Sequence, residues 1–571
     1  MLGKRVVSLF FIFLCCFALL ILHLAFIQLG RGSEYAYLAL QRESRTIVLE
    51  EYPRGEILDR HLQPLTGSYD ANRVVVFPEL VRDRQAVVAS LAGILKLPVE
   101  KVAPYFERPC YLPFPLTPEQ AGAIREQRWP GVLVLPVHLR YGPAPLATGV
   151  IGYLGRVQSK EMLDTLNARS EKSYCLNDWV GRAGLEKYYE NELKATRPGA
   201  YARIFVDAAG RIIPGLGPAV DLRAGDPGRQ HLVTTLDAGI QRVVEEVMDR
   251  RIKKGAVVVM EPRTGDILAL ASRPVYDPRP PGVAAYLERG EEGTFTDQTT
   301  ALFTPGSVFK VVVAAAALAE GIVKPEDQFE CRGSLARPVR CWYDPGHGTI
   351  SFSRAFAESC NPVFARVGLE LGAQKIIEYA ARFGLDNQEI TGYPVPRDRR
   401  QNWQLVAAPY NLVNSSLGQG PVLATPVQIT AMMNVIVNGG VYVQPRLIRE
   451  LRNDEGEVVR SFPRDSGHRA IPASTAVQLT EMLQLVTTMG VGRQAYVPGY
   501  GSAGKTGSAQ VDGQDKVNAW FTGYAPLQNP RYIVTVLVQE GVSGGETAAP
   551  VFREIMQKIL TLPQEQGEGS P

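Results

Sequence analysis

The sequence predicts an α/β domain over 226–562, preceded by a mixed α+β region and one apolar N-terminal helix. Three observations carry that reading. Strand-like apolar runs stand at both ends of the domain, near residues 255 and 535, so its sheet joins those ends. Helix-like patterns fill the stretch between them. The chain also opens on a long apolar run and, at 571 residues, exceeds what one core can serve.

The apolar run, Val6 to Leu29, is broken only by Ser8, His23 and Gln28. At helical rise it is long enough to cross a bilayer. Lys4 and Arg5 precede it, which keeps residues 1–5 cytoplasmic and puts the rest outside. A cleaved signal peptide is the competing reading; the run is long for one, and no small-x-small site follows.

Residues 30–225 carry short strand-like runs, "NRVVVFP" (Asn72 to Pro78) and "GVLVLPVHLRY" (Gly131 to Tyr141), with charged helical patterns between. A Pro/Gly-rich stretch, "IIPGLGPAVDLRAGDPGRQ", reads as a linker. Leu236 to Ile252 has helix periodicity. Gly255 to Ser272 reads as two strands joined by a turn at Pro262–Gly265. Arg531 to Glu540 alternates through Tyr532, Val534, Val536 and Val538, and Ala548 to Leu562 is an amphipathic helix. The polar tail, 563–571, is expected to be disordered.

Net charge is +3, from 61 basic and 58 acidic side chains, so nothing points to nucleic acid. No HExxH and no CxxC occurs, so no metal site and no cofactor is expected. Of seven cysteines, Cys331 and Cys341 are close enough for a disulfide, which spacing alone leaves open.

The chemistry centres on "FTPGSVFKVVVAAAALAEG", Phe303 to Gly321. Pro305–Gly306 break structure, so a helix starting at Ser307 and stopping at Gly321 is predicted. Residues three apart are neighbours on a helix, so the Lys310 amine can reach the Ser307 hydroxyl. The positive end of the helix dipole and an apolar setting both lower a lysine's pKa, leaving a free amine to activate the serine. A capping serine and a snorkelling lysine would look the same, and S-x-x-K recurs at Ser502–Lys505. Two further triplets, each occurring once, decide between them: Ser359-Cys360-Asn361 and Lys505-Thr506-Gly507. Chance gives a K-T-G roughly once per several thousand residues. "GYGSAGKT" also fits a phosphate-binding loop, but no buried strand precedes it and no helix pattern follows.

The order S-x-x-K, S-x-N, K-T-G resembles the penicillin-recognising serine acyltransferases. "MEPRTGDILALASRPVYDP", "HGTISFSRAFAESCNPVF", "SLGQGPVLATPVQI" and "AWFTGYAP" extend the resemblance to class B penicillin-binding proteins, as do "RGEILDR" and "GRAGLEKYYENEL" in the region before. The resemblance implies a serine transpeptidase/β-lactamase-like domain with a central antiparallel sheet flanked by helices. Residues 30–225 would be the class B pedestal, or dimerisation-type, domain.

By the same resemblance, Ser307 is the acylated nucleophile and Lys310 takes its proton. Ser359 relays a proton to the leaving amine, and Asn361 holds Lys310 and the substrate amide. Lys505, Thr506, Gly507 and Ser508 form the strand that binds the D-alanyl-D-alanine carboxylate. The main-chain N–H groups of Ser307 and Ser508 make the oxyanion hole. The implied partners are peptidoglycan stem peptides, β-lactams and a membrane glycosyltransferase of the elongation or division complex. Arg54, Asp59, Arg60, Arg182 and Glu186 are expected to form ion pairs joining the two pedestal segments. Ser508 and Val308 stand where threonine is usual, and Lys194-Ala195-Thr196 departs from a glycine-containing turn. A β-lactamase or carboxypeptidase is the first rival; no E-x-x-L-N acid for deacylation occurs. A penicillin sensor or silent wall-assembly scaffold is the second, and the intact motifs oppose it. Trp520 is expected in the core, His347 in a loop, and Ser502 in a structural role.

Overall fold

The computed structural model describes residues 2–31, 44–206, 213, 218–223, 225–290, 293–395, 400–510 and 516–563. The expected tail beyond 563 and six residues of the Pro/Gly-rich linker, 212, 214–217 and 224, lie outside them. Leu2–Ala25 is helical and continues as a wider turn over Phe26–Gly30. Within it, Leu9–Gly30 is long and apolar enough to cross a membrane.

The chain forms two compact units that interleave along the sequence. One holds Met1–Pro53, Tyr69–Arg140 and Arg197–Asp226; the other holds Arg54–Ser68, Tyr141–Thr196 and Pro227–Pro571. These compact units are therefore not divided at residue 225 alone. Two pieces of the 30–225 region, Arg54–Ser68 and Tyr141–Thr196, fold with the second unit.

In the first unit, the two expected strands pair with each other. Tyr69–Val76 runs antiparallel to Val132–Leu139, with Cys110–Tyr111 on its other edge. Alternate residues serve opposite faces, as strand geometry requires. Val74 and Val76 pack with Leu91 and Phe106, while Val75 and Phe77 pack with Ile47 and Ile204.

The second unit is built on a five-stranded antiparallel sheet. Its strands are β1 (Gly255–Met260), β2 (Ile267–Arg273), β3 (Ala503–Gln510), β4 (Val517–Ala525) and β5 (Tyr532–Gly541), in the order 2-1-5-4-3. The two ends of the domain meet where β1 pairs with β5. Both faces of the sheet are covered, which is why β1 reads as an unbroken apolar run. Val257, Val259, Val534 and Val536 pack beneath helices α1 (Ala238–Arg251) and α6 (Ala549–Leu560). Asp237 caps α1 by accepting from the Ile240 N–H at 3.0 Å. On the other face, Ala256, Val258, Met260 and Trp520 pack with α2 (Lys310–Ala319), α3 (Asn361–Arg382, kinked at Gly372), α4 (Pro426–Val437) and α5 (Ala473–Thr488).

The pedestal segments enter this unit through main-chain and ionic ties. Ile57–Leu58 pairs in parallel with Gln230–Thr234, closing a four-stranded sheet with Ile448–Asn453 and Val458–Ser461. Gly55 is required there: a Cβ would sit 1.8 Å from the Gln230 carbonyl oxygen. Arg54 is 4% exposed, and its guanidinium meets Glu186 at 3.0 Å and Glu190 at 2.9 Å. Tyr141 donates to the other Glu186 oxygen at 3.1 Å. Arg54 and Glu186 thus join the two segments from inside the protein. Asp59 is buried but accepts main-chain N–H groups instead, from His61, Gln63 and Ala238. Arg60 pairs with Glu261, and the exposed Arg182 meets the Met162 sulfur rather than a carboxylate.

Breaking a buried pair leaves one charge uncompensated, at a cost of about 3–5 kcal/mol. Arg54→Ala is expected to lower the thermal unfolding midpoint sharply, with Arg182→Ala near wild type. Equal small shifts in both would contradict the burial of the Arg54 cluster.

Candidate active site

The site begins with how the chain turns into α2. Gly306, with φ +57°, opens one tight helical turn, Gly306–Phe309, before α2 starts at Lys310. The predicted helix start is met, with its first turn wound more tightly. Every α2 residue from Lys310 to Ala317 is buried, so Lys310 is driven inward with its apolar neighbours.

Burial sets the lysine's chemistry. Lys310 is 0% exposed, and desolvation pulls its pKa down to about 7, opposed by the Cys360 and Cys341 thiols. Its Nζ donates to Asn361 Oδ1 at 2.7 Å, to the Ser359 carbonyl at 2.8 Å and to Ser359 Oγ at 3.3 Å. Ser307 is only partly buried. The expected Ser307–Lys310 hydrogen bond is not formed, because Lys310 is turned to Asn361 and Ser359.

Ser359 and Asn361 flank the start of α3. Ser359 has φ +55°, a strained conformation for a residue with a side chain. That conformation lets one short loop offer Lys310 both a carbonyl and a hydroxyl. Lys505, also 0% exposed, donates to the same Ser359 Oγ at 3.1 Å. Burial, and then the Lys310 charge, holds Lys505 well below the ordinary lysine range. One hydroxyl therefore bridges two amines whose like charges oppose each other.

Lys505 lies on β3, the edge strand of the sheet. The strand passes hard against the turn that carries Ser307. At Gly507 a Cβ would lie 2.6 Å from the Pro305 oxygen and 2.8 Å from Val308 Cγ2. Val308 is buried core, which suits a valine where a hydroxyl is usual. Ser508 is exposed, and its Oγ accepts from the Gly544 N–H at 3.0 Å. Trp520, opposite Gly507 on β4, is fully buried and donates to the Thr304 carbonyl at 3.1 Å. Ser502 is buried and spends its hydroxyl on main chain, donating to Ala495 at 2.9 Å and accepting from Val497. The structure thus brings Lys310, Ser359, Asn361 and Lys505 into one hydrogen-bonded group, with Ser307 and Thr506–Ser508 beside it.

Sequence reasoning missed one feature next to this group. The donor atoms of Cys331, Cys341, His347 and Cys360 all lie within 4.8 Å of one another, so these residues could hold a metal ion. Cys360 is the middle residue of S-x-N. The spacing, C-x9-C-x5-H-x12-C, matches none of the short paired motifs that signal such sites. Strand pairing opposite Gly348 and the helix start at Cys360, not local period, bring the four together.

Two family profiles match the chain. The penicillin-binding protein transpeptidase domain covers residues 255–557, and the penicillin-binding protein dimerisation domain covers 50–226. The chain belongs to the penicillin-binding protein transpeptidase family. With the dimerisation domain before it, it is a class B penicillin-binding protein with D,D-transpeptidase function. Stage V sporulation protein D of Bacillus subtilis is 28% identical over 98% of this chain and 85% of its own length. Peptidoglycan D,D-transpeptidase MrdA of Salmonella typhimurium is 26% identical over 98% of this chain and 96% of its own. A solved structure described as structural coordination of polymerization and crosslinking by a peptidoglycan synthase complex aligns with TM-score 0.72 and 25% identity. It covers 99% of this chain and 100% of that one.

Gly507→Ala is expected to push β3 away from the Ser307 turn. Displacements of order 1 Å cost about 10²-fold in rate. The second-order rate of penicillin acylation should fall by about that factor, with the fold kept; an unchanged rate would show that the strand's approach is not needed.

Proposed function

We propose that the transpeptidase reaction runs through an acyl-enzyme on Ser307. The observation that carries this is Lys310: fully buried at the head of an apolar helix, pulled to about pKa 7, three residues after an accessible serine. At neutral pH much of its amine is free. It takes the Ser307 proton as the hydroxyl oxygen attacks the penultimate D-alanine carbonyl. Hydrogen bonds to Asn361 and Ser359 aim it, and the bond to Ser307 is of the kind that forms only with substrate bound. The main-chain N–H groups of Ser307 and Ser508 receive the developing oxyanion.

The Ser359 hydroxyl spans the gap between Lys310 and Lys505, so it can hand a proton to the departing D-alanine amine. Lys505 and Thr506 receive the substrate carboxylate. That carboxylate supplies the negative charge that buried Lys505 lacks, so its ammonium form is favoured when substrate arrives. The free edge of β3 suits an extended stem peptide laid alongside as an added strand. The amine of a second stem then attacks the ester and frees Ser307. A β-lactam acylates Ser307 but keeps its leaving group tethered, so the ester persists.

The apolar N-terminal helix anchors the chain, with Lys4 and Arg5 on the cytoplasmic side and the catalytic unit outside. The likeness to a structure described as a peptidoglycan synthase complex supports a membrane glycosyltransferase as partner.

Labelling with a fluorescent penicillin, wild type against Ser307→Ala, tests the nucleophile: label should vanish in the variant. Equal labelling would sink the assignment. The acylation rate should also rise as pH climbs through about 7, because the amine carries a proton below that value and is free above it. The groups facing Lys310 are Lys505, Cys360 and Cys341. A profile flat through about 7 would remove Lys310 as the base.

A further inference from the structure

Three buried thiols and an imidazole converge beside the S-x-N loop, and the reaction above uses none of them. Cys331 ends the strand Gln328–Cys331, and His347 immediately precedes the strand Gly348–Ser351. These strands pair antiparallel with Cys331 opposite Gly348, which sets Cys331 and His347 side by side. Cys341 lies in the loop between the strands. Cys360 heads α3. Cys331, Cys341 and Cys360 are 2%, 4% and 0% exposed, and none is in a disulfide.

We propose that Cys331, Cys341, His347 and Cys360 bind a structural zinc ion. The donors fit a tetrahedral ion in type, number and spacing. Zinc binds thiolate at about 2.3 Å and imidazole at about 2.0 Å, which puts sulfurs about 3.8 Å apart and sulfur and nitrogen about 3.5 Å apart. Cys341 Sγ and His347 Nδ1 stand 3.5 Å apart, and all four donor atoms fall within 4.8 Å. Four protein donors leave no open position, which marks a structural rather than a catalytic site. A soft three-sulfur, one-nitrogen set selects zinc over calcium or magnesium. Binding takes all three sulfurs as thiolates, with thiol protons released to solvent, and involves no change of oxidation state.

The fold explains why an ion is needed. The loop from Arg332 to Gly346 carries exposed Leu335, Trp342 and Tyr343 and buries little apolar area of its own. It is wound tightly instead: the Cys341 N–H donates to the Gly333 carbonyl at 3.0 Å, and a Cβ on Gly346 would lie 2.4 Å from the Cys331 oxygen. Small apolar-poor lobes are held by cross-links. Here the cross-link reaches the catalytic group, because Cys360 stands between Ser359 and Asn361. Trp342 adds a second tie, its indole N–H donating to the Glu358 carbonyl at 2.9 Å. An ion on Cys360 would hold Ser359 in its strained conformation and keep both loop residues on Lys310. That consequence for acylation rests on the acyl-enzyme reading; binding of the ion does not.

The test uses the full chain, purified in detergent under reducing conditions. Metal analysis should give about one zinc per chain. Cobalt exchanged into the site should show thiolate-to-cobalt charge-transfer absorption and the intense visible bands of a tetrahedral ion. Cys341→Ser and His347→Ala should each weaken zinc binding at least about 10-fold, while Cys175→Ser leaves it unchanged. Stripping zinc from wild type should slow penicillin acylation by about 10-fold or more, and added zinc should restore it. Wild type that takes up no zinc or cobalt when offered, or cobalt bound without thiolate absorption, overturns the site. So does a disulfide between any two of the three thiols in the chain as isolated from the membrane. Ser307→Ala separates the two readings. It should lose labelling and keep its zinc, whereas a zinc-stripped wild type that labels at full rate would overturn the ion's hold on the Ser359 loop and leave the acyl-enzyme standing.

Discussion

Two lysine amines, Lys310 and Lys505, are buried in one site and share the hydroxyl of Ser359. Burying a single cation is costly, and two like charges at one hydroxyl cost more. Much of the surrounding structure meets that cost. Asn361 Oδ1 and the Ser359 carbonyl accept from Lys310, and the Thr506 carbonyl accepts from Lys505 at 3.2 Å. Ser359 adopts a left-handed backbone to turn both its oxygens inward. The result is a pair of amines held below their ordinary range; in the proposed reaction one takes a proton and the other waits for a carboxylate.

The rest of the catalytic unit holds those two amines at one place. Lys310 comes from α2 and Lys505 from β3, nearly two hundred residues later. They meet because β5 pairs with β1, bringing the end of the chain back to the start of the domain. The approach of β3 to the Ser307 turn then depends on the bare backbone of Gly507. Trp520 braces the same spot by filling the core opposite Gly507 and binding the Thr304 carbonyl. The pedestal segments add a separate constraint: Arg54 and Glu186 close a buried ionic cluster between pieces of chain far apart in sequence.

The loop behind S-x-N carries a different kind of support. Apolar packing holds α2 and the sheet, but the 332–346 loop has little of it to use. Polar and sulfur ligands concentrate where apolar burial is scarce. Placing Cys360 inside the motif makes one residue common to the Ser359–Asn361 loop and to the thiol–imidazole cluster.

Much of this was legible from sequence. Val257 and Val259 read as strand from an unbroken apolar run, Val534 and Val536 from alternation, and the Ala548–Leu562 helix from its amphipathic pattern, with Val551, Phe552, Ile555 and Ile559 on the buried side. Ser307 and Lys310 read as a pair because helical spacing is local, and Asn361 and Lys505 because short motifs keep their order. What sequence left undecided depended on long-range closure. Arg54 and Glu186 were expected as an ion pair, but only the fold shows that the pair is buried and that Arg182 takes no part in it. Lys310 was expected to face Ser307, yet it turned to Asn361 and Ser359, acceptors supplied by another loop. The interleaving of the two units followed from Ile57–Leu58 joining a strand at Gln230–Thr234. Cys331, Cys341, His347 and Cys360 carry no recognisable spacing, since strand pairing and a helix start, not local period, gather them. The sequence by itself determined the main helices and strands, the apolar N-terminal helix and the three short motifs, all set by local pattern. Only the tertiary structure decided which charges are buried and which ligands meet, because burial and proximity are properties of the closed chain.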